Sequence, residues 1–475
     1  MGVGAISFHV GSFTHPPPPP VKGGGNCPSI STPRISTQLM NNKRIAITTL
    51  GCKINQFESA AMTEALQQEG YSMVPFSETA DIYVINSCTV TAKTDAESRR
   101  LIRRATRLNP EARVVVTGCY AQLSGEELLK MPGVNLILGN SEKRDIAGFL
   151  KGIQEMDQPQ AVVSDISLQR SGESAPLESF AEHTRAFLQV QNGCDARCAY
   201  CIVPYARGAS RSVSPQDALD GMASFAAKGF KEIVLTGIHL GGYGLDLTPP
   251  TDLLGLLVQA EERAVVSRLR IGSVEPTEVP QEMVRFMAQS RIVCPHLHLP
   301  LQSGSDGVLS RMNRGYTTAL FGEVVQSLVR AIPDICIGSD VIAGFPGETE
   351  QEFEEAYSFI KGLPLAYLHV FPFSQRPGTP AATMKPQVHS RVIKERAEAL
   401  RLLSESKKAA YAAGFVGREL QVLVQNDTGG RKGLSRNYLT VLIEEGEASV
   451  NTEVTVLITG SKGGELIGKV KGGEW

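Results

Sequence analysis

Two sets of three cysteines stand where thiolate chemistry is possible. The stretch QNGCDARCAYCIVPYARG places Cys194, Cys198 and Cys201 in a C-x3-C-x2-C loop, and Cys52, Cys88 and Cys119 each close an apolar run, in IAITTLGC, DIYVINSC and VVVTGC. Thiolates are ligands for zinc and for iron-sulfur clusters. A structural zinc site closes with four ligands, and no Cys or His follows Cys201 closely enough to be the fourth. Three thiolates on a four-iron cluster leave one iron open to an exogenous ligand. For Cys52, Cys88 and Cys119 both zinc and a cluster remain open. The plainer reading, that these are small buried hydrophobes, predicts scattering through strand interiors rather than three placements at strand ends.

The elements that must position these thiols follow from the pattern. A chain of 475 residues exceeds one core, which stops growing near ~250–300 residues. With 42% hydrophobic and 20% charged residues it reads as several globular domains. Apolar runs of a few residues fall far short of the roughly 18 that span a bilayer, so no membrane segment is expected. Nine cysteines without a signal-peptide layout point to reduced thiols or metal ligands rather than a disulfide framework. A formal net charge of -2 excludes a globally basic nucleic-acid binder and leaves only local basic faces.

Residues 1–42, with HPPPPPVKGGGNCPSISTPRIS and no acidic residue, read as a disordered tail, with Met40 a candidate start and no role for Cys27. Such a leader also permits an organelle transit peptide, but a cytoplasmic location is the expectation. Residues 43–150 alternate β-rich runs (45–50, 81–86, 113–117, 134–138) with helical stretches such as 55–68, the rhythm of a doubly wound parallel α/β domain. Successive cysteines lie roughly thirty residues apart, one βαβ unit each, so parallel strands bring them to one sheet edge. Residues 151–182 read as a linker. Residues 183–414 carry six strands (186–190, 232–236, 268–272, 293–299, 335–342, 365–371) alternating with helices such as 215–228 and 349–361, a partial β/α barrel ending in a helix over 390–413. Residues 415–475 alternate short β runs with glycine turns, as in a small antiparallel barrel.

Cys194, Cys198 and Cys201 follow the first strand of the barrel series, at the face where β/α barrels do chemistry. Gly237 in LTGIHLGGYG, Ser273 and Glu275 in GSVEP, Gln302 and Ser303 in LPLQSGSD, and Asp340 in DVIAGFPGETE stand at or beyond later strands, so they are candidates to bind a cofactor or to cap loops. His239, His296 and His298 read as packing residues rather than ligands, and Cys294 and Cys336 as core thiols. In ESRRLIRRATR, helical spacing gathers Arg99, Arg100, Arg103, Arg104 and Arg107 into a basic stripe suited to phosphate or simply to solvent. Arg431, Lys432 and Arg436 add positive charge near the C-terminus, diluted by Asp427, Glu444, Glu445 and Glu447.

The C-x3-C-x2-C loop on a barrel strand resembles the radical S-adenosylmethionine (SAM) enzymes. With a three-cysteine α/β domain before it and a small β-barrel after it, nearly all of residues 43–471 resembles the radical SAM methylthiotransferases. TLGCKINQFES, NSCTVTAKTDAESRR and VVVTGCYAQ look most like the subgroup acting on N6-threonylcarbamoyladenosine in tRNA. The resemblance implies two 4Fe-4S clusters, one on Cys194, Cys198 and Cys201 that cleaves SAM to a 5′-deoxyadenosyl radical and one on Cys52, Cys88 and Cys119 that holds sulfur. It implies SAM contacts from Tyr200, Gly237, Ser273, Glu275, Gln302, Ser303 and Asp340, with no side chain needed as a catalytic base. It likens the last domain to the TRAM module, an OB-like RNA-binding barrel, and makes tRNA the substrate partner. An electron donor and a sulfur source, neither identified, are further partners, and a monomer is expected. Rival readings keep the chemistry but move it to isopentenyladenosine in tRNA or to an aspartate of a ribosomal protein. A rival of another class is a non-enzymatic iron-sulfur RNA-binding protein.

Overall fold

The apolar runs that end on cysteine are neighbouring strands of one parallel sheet. In a computed structural model, which describes residues 43–170, 172, 184–425 and 431–471, the sheet order is Ser72–Met73, Arg44–Thr49, Ile82–Ser87, Arg113–Gly118, Val134–Leu138, Gln160–Val162. Every pairing is parallel. Ile82–Ser87 is buried along its whole length, as expected of a parallel strand covered on both faces. From Arg44–Thr49 the chain steps out to the edge at Ser72–Met73 and reverses to Ile82–Ser87. That reversal is a topological switch point, where ligands gather outside the carboxyl ends of strands. Cys52 and Cys88 follow the two strands that flank it, and Cys119 follows the next.

The tail expected over 1–42, with Cys27, lies outside the described residues, as do 171, 173–182 and Asp427. The rest of the expected linker is ordered structure. Gln160–Val162 joins the sheet as its last strand, supplying hydrogen bonds to Leu136–Leu138. It escapes a pattern search because an edge strand of three residues is too short to show a period.

Six parallel strands make the central domain: Arg185–Gln189, Glu232–Thr236 and Arg268–Ile271 in one sheet, His296–His298, Cys336–Ala343 and Tyr367–Pro372 in the other. The bridges Leu269↔Val293 and Ser273↔His298 join them into one open arc, the expected partial barrel. An open arc has a bare edge at Arg185–Gln189. The Lys53–Gln68 helix of the first domain lies there, and its Phe57 enters the barrel core with Ala186, Leu188 and Leu235. Helix Ser390–Ala413 lies along the last strand, where Ser404 Oγ accepts from Leu368 N at 2.8 Å.

The C-terminal strands close in the order Glu419–Gln425, Lys432–Ser435, Thr440–Glu445, Glu465–Val470, Glu453–Lys462. Four of its pairings are antiparallel, as expected, and one, Thr440–Glu445 with Glu465–Val470, is parallel. A ring of five strands cannot alternate direction at every step, so at least one neighbour pair must run the same way. This barrel is fastened to the floor of the larger one by charge. Glu232 is wholly buried and takes Arg268 and Arg270, while Arg268 also meets Glu453 and Leu434 O, and Arg270 donates to Arg436 O. Among the described residues no helix is long and apolar enough to cross a membrane.

Candidate active site

Each cysteine of the first triad is set by its strand end. Cys52 caps the Lys53–Gln68 helix and is exposed, whereas Cys88 and Cys119 are buried. Gly51 packs against Cys88 with φ +97°, and a Cβ there would stand 2.7 Å from Cys88 Sγ, so no larger residue fits between the thiols. Arg207, the end of the short helix Val203–Arg207 a few residues beyond Cys201, reaches across from the barrel. Its Nε donates to Cys119 Sγ at 3.2 Å, and its other nitrogens donate to Asn55 Oδ1 and Glu58. Lys143 Nζ meets the same Glu58 at 2.6 Å and Asn140 Oδ1 at 2.7 Å. Burial alone would raise the Glu58 carboxyl, but Arg207 and Lys143 outweigh it and hold it at about 2.

The second triad has a parallel arrangement. Arg314 Nη1 donates to Cys198 Sγ at 3.2 Å, and its Nη2 pairs with Glu275. His239 hydrogen-bonds Cys194 and lies 2.5 Å from Glu278 Oε1, and these two partners push its pKa up to about 10. Burial pushes Cys88 up to about 11 and Cys201 up to about 12. These are neutral thiols at pH 7 until a bound metal supplies the charge that ionises them.

The donor sets fit clusters better than single ions. Tetrahedral sulfurs around zinc, at bonds of about 2.3 Å, lie about 3.8 Å apart. Among the described residues only His298, Asp340 and His369 bring three ligand atoms within 4.8 Å of one another, so both cysteine triads are more open than one zinc ion needs. The guanidinium against one thiol of each triad suits an anionic sulfur-rich group.

The remaining expected site residues separate. Tyr200 packs on the cluster of Ala199, Met312 and Phe345 within electrostatic reach of Cys198, Cys201 and Arg314. Glu275 is beside them through Arg314. Ser273 is exposed at the end of its strand and bridged to His298. Asp340 lies 2.9 Å from His298 Nε2 and 3.3 Å from His369 Nδ1. Gly237 allows the close approach of Gln191, whose Oε1 accepts from His239 N at 2.8 Å. Gln302, with φ +67°, pairs its backbone with Asp340 O and Ile342 N. Ser303 is buried and accepts from Ser305 N, bracketing its own loop.

On the Ala92–Leu108 helix, Arg99 donates to Tyr120 Oη at 2.6 Å and Arg100 pairs with Glu97. Arg103, Arg104 and Arg107 have no acidic partner among the described residues, and Arg103 and Arg107 are exposed. Arg431 is exposed and donates to Gly446 O, Lys432 is half-buried, and Arg436 is turned to Glu453, Arg291 O and Ser267 O, so it fastens two domains instead of joining an open basic face. Sequence reasoning missed Arg207, Arg314, Glu58 and Lys143. Only the YARG ending of the second cysteine loop was a signal, a basic residue close to three thiolates.

Comparison with known proteins decides the family. Residues 44–139 match the model described as Uncharacterized protein family UPF0004, and residues 188–360 match the Radical SAM superfamily. The chain is 40% identical over 421 residues, 87% of its length and 93% of the relative's, to the threonylcarbamoyladenosine tRNA methylthiotransferase MtaB of Bacillus subtilis (strain 168). The chain belongs to the radical SAM methylthiotransferases. It is therefore an enzyme of a family whose radical chemistry uses SAM and a 4Fe-4S cluster. It is also similar, at 32% over 90% of its length and 97% of the relative's, to the tRNA-2-methylthio-N(6)-dimethylallyladenosine synthase of Pelotomaculum thermopropionicum. Its fold is shared with the radical SAM methyltransferase TsrM of Kitasatospora setae at a TM-score of 0.52 and 17% identity, over 76% of this chain and 85% of that one.

Proposed function

We propose that this methylthiotransferase places a methylthio group on C2 of N6-threonylcarbamoyladenosine next to the anticodon of tRNA, in the cytoplasm, with two 4Fe-4S clusters. When bound, a cluster on Cys194, Cys198 and Cys201 supplies the electron for SAM cleavage, and one on Cys52, Cys88 and Cys119 holds the sulfur to be transferred. The observation that carries the reading is Arg207, which leaves the second cysteine loop and ends on Cys119 of the first triad. A buried guanidinium that runs from one cysteine loop to a thiol of the other triad holds the two sites in register as well as stabilising the contact between them. Arg376, hydrogen-bonded to Thr89 and paired with Asp95, adds a second tie beside Cys88. Such ties fix the distance between donor and acceptor groups, which is what proximity catalysis requires of a scaffold.

Other residues take supporting roles. Tyr200, Ser273, Glu275 and Asp340, around the mouth of the arc, are the residues best placed to contact SAM. The exposed Arg103 and Arg107, on the helix that follows Cys88, offer phosphate contacts that would orient an anticodon stem toward the cysteines. The base assignment leans on the 40% identical relative, whose name carries threonylcarbamoyladenosine. The test is anaerobic reconstitution with SAM, a reductant and sulfide, followed by nucleoside mass spectrometry of tRNA carrying either modified adenosine. Methylthiolation confined to the dimethylallyl base would overturn the assignment, and tRNA binding without SAM cleavage would overturn the enzyme mechanism.

A further inference from the structure

Strands Cys336–Ala343 and Tyr367–Pro372 run side by side with Asp340 opposite His369, and His296–His298 lies on the other side with His298 opposite Gly338, two residues before Asp340. Alternation decides which way these side chains point. Leu297, Val341 and Leu368, their immediate neighbours in sequence, pack into the core under the helices. His298, Asp340 and His369 therefore share the concave face of the arc. His298 is buried, Asp340 is a quarter exposed and His369 is more than half exposed, so the group opens onto solvent on that face.

The three converge more closely than hydrogen bonding requires. His298 Nε2 and His369 Nδ1 lie 2.9 and 3.3 Å from the same oxygen, Asp340 Oδ1, and one donor atom from each residue lies within 4.8 Å of the other two. A carboxylate that served only to accept from two imidazoles could take them from opposite sides, one on each oxygen. Donors about 2.1 Å from one ion stand about 3.0 Å apart at octahedral angles and about 3.4 Å apart at tetrahedral ones, which matches the two separations. Behind His298, Tyr367 Oη stands 3.4 Å from Nδ1 and 3.0 Å from His296 Nε2. Metal-bound histidines are held in this way, through the nitrogen that does not bind the ion. Gly338 makes room for that tyrosine, since a Cβ there would stand 2.0 Å from its ring.

We infer that His298, Asp340 and His369 bind one divalent first-row transition-metal ion on the concave face of the barrel. Two imidazoles and one carboxylate are a facial donor set that such ions take, with the remaining positions left to water or substrate. Two neutral imidazoles and a carboxylate carry one negative charge, which a divalent ion offsets. Both histidines meet Oδ1, so an ion there leaves Oδ2 of Asp340 for the SAM contact proposed above. The site uses no cysteine, and it stands whichever adenosine the enzyme modifies.

The test uses enzyme whose cysteines are already filled. Holoenzyme reconstituted with iron and sulfide is equilibrated with zinc, an ion with no geometric preference of its own, and zinc per chain, zinc affinity and the zinc K-edge absorption spectrum are measured. One zinc per chain is expected, with a first shell of nitrogen and oxygen at about 2.0–2.2 Å and no sulfur at about 2.3 Å. His369→Gln, at an exposed position, should weaken zinc binding by more than about 100-fold, and Tyr367→Phe, which removes only the hydroxyl behind His298, by about 10- to 100-fold. Iron per chain should stay at the wild-type value in both variants. A sulfur shell would assign the zinc to cysteines and overturn the inference. Wild type that retains no zinc, or equal zinc affinity in wild type and His369→Gln, would overturn it too and leave a hydrogen-bonded trio.

Discussion

Arg207 donates from Nε to Cys119 Sγ across 3.2 Å, joining the loop of one cysteine triad to a thiol of the other. Its charge is not cancelled by its surroundings. Arg207 and Lys143 share the single carboxylate of Glu58, leaving one excess positive charge buried against the thiols. An uncompensated buried cation is costly unless an anion is close. The arrangement makes sense when the thiols and what they bind are anionic.

Arg207→Met should therefore harm the first triad specifically. It removes hydrogen bonds to Cys119, Asn55 and Glu58, each charge-assisted bond being worth about 1.5–3 kcal/mol. A loss of at least about 2 kcal/mol in urea unfolding of the apo protein is expected. On the two-cluster proposal, iron per chain should fall from about eight toward about four, because a cluster on Cys119 would lose its counter-charge. Arg207→Lys restores the charge without the planar fork and should recover iron only in part. Full iron in Arg207→Met would show that the guanidinium is irrelevant to occupancy.

Single cysteine variants separate the two sites. Cys198→Ala should abolish SAM cleavage, while Cys88→Ala should keep cleavage uncoupled from thiolation, and each should retain about four irons by colorimetric count. If Cys88→Ala still thiolates tRNA, the two-cluster reading is wrong.

Glu232 sets an acid limit on the docking of the C-terminal barrel. Burial by itself would raise its carboxyl, but Arg270, Arg268 and Arg185 outweigh it and hold it at about 2. An unfolded glutamate titrates near ~4.3, so this depressed group stabilises the fold fully above that pH and loses its contribution as pH falls toward about 2. Glu232→Gln leaves Arg270 buried without an acidic partner and Arg268 with Glu453 alone, and should cost about 3–5 kcal/mol near neutrality. The gap between wild type and variant in denaturant midpoint should narrow between about pH 5 and about pH 3. A gap that stays constant over that range would mean Glu232 does not titrate with unfolding.

What the sequence disclosed depends on how local each signal was. Strand ends at Cys52, Cys88 and Cys119 could be read because a β run and its stop occupy a few adjacent residues. Helix 390–413 was legible for the same reason, its period running unbroken between His389 and Gly414. Partners distant in sequence were not: Arg207 finds Cys119, Arg376 finds Asp95 and Arg270 finds Glu232 only once the domains pack. Charge alone also misled at Arg436, where a basic residue on a hairpin fastens domains rather than facing solvent.

Arg436 supplies the control for the basic helix. If Arg103 and Arg107 bind phosphates, Arg103→Glu with Arg107→Glu should weaken tRNA binding and flatten the slope of log K against log salt by about one unit for each phosphate no longer neutralised. Both side chains are exposed and have no acidic partner among the described residues, so stability should stay within about 0.5 kcal/mol of wild type. Arg436→Gln should do the reverse, lowering stability by removing hydrogen bonds to Glu453, Arg291 O and Ser267 O while leaving the salt slope in place. Fluorescence anisotropy of a labelled tRNA across a salt series measures both. An unchanged slope in the helix variant would move the RNA path away from the Ala92–Leu108 helix, and a flattened slope in Arg436→Gln would move it onto the C-terminal barrel.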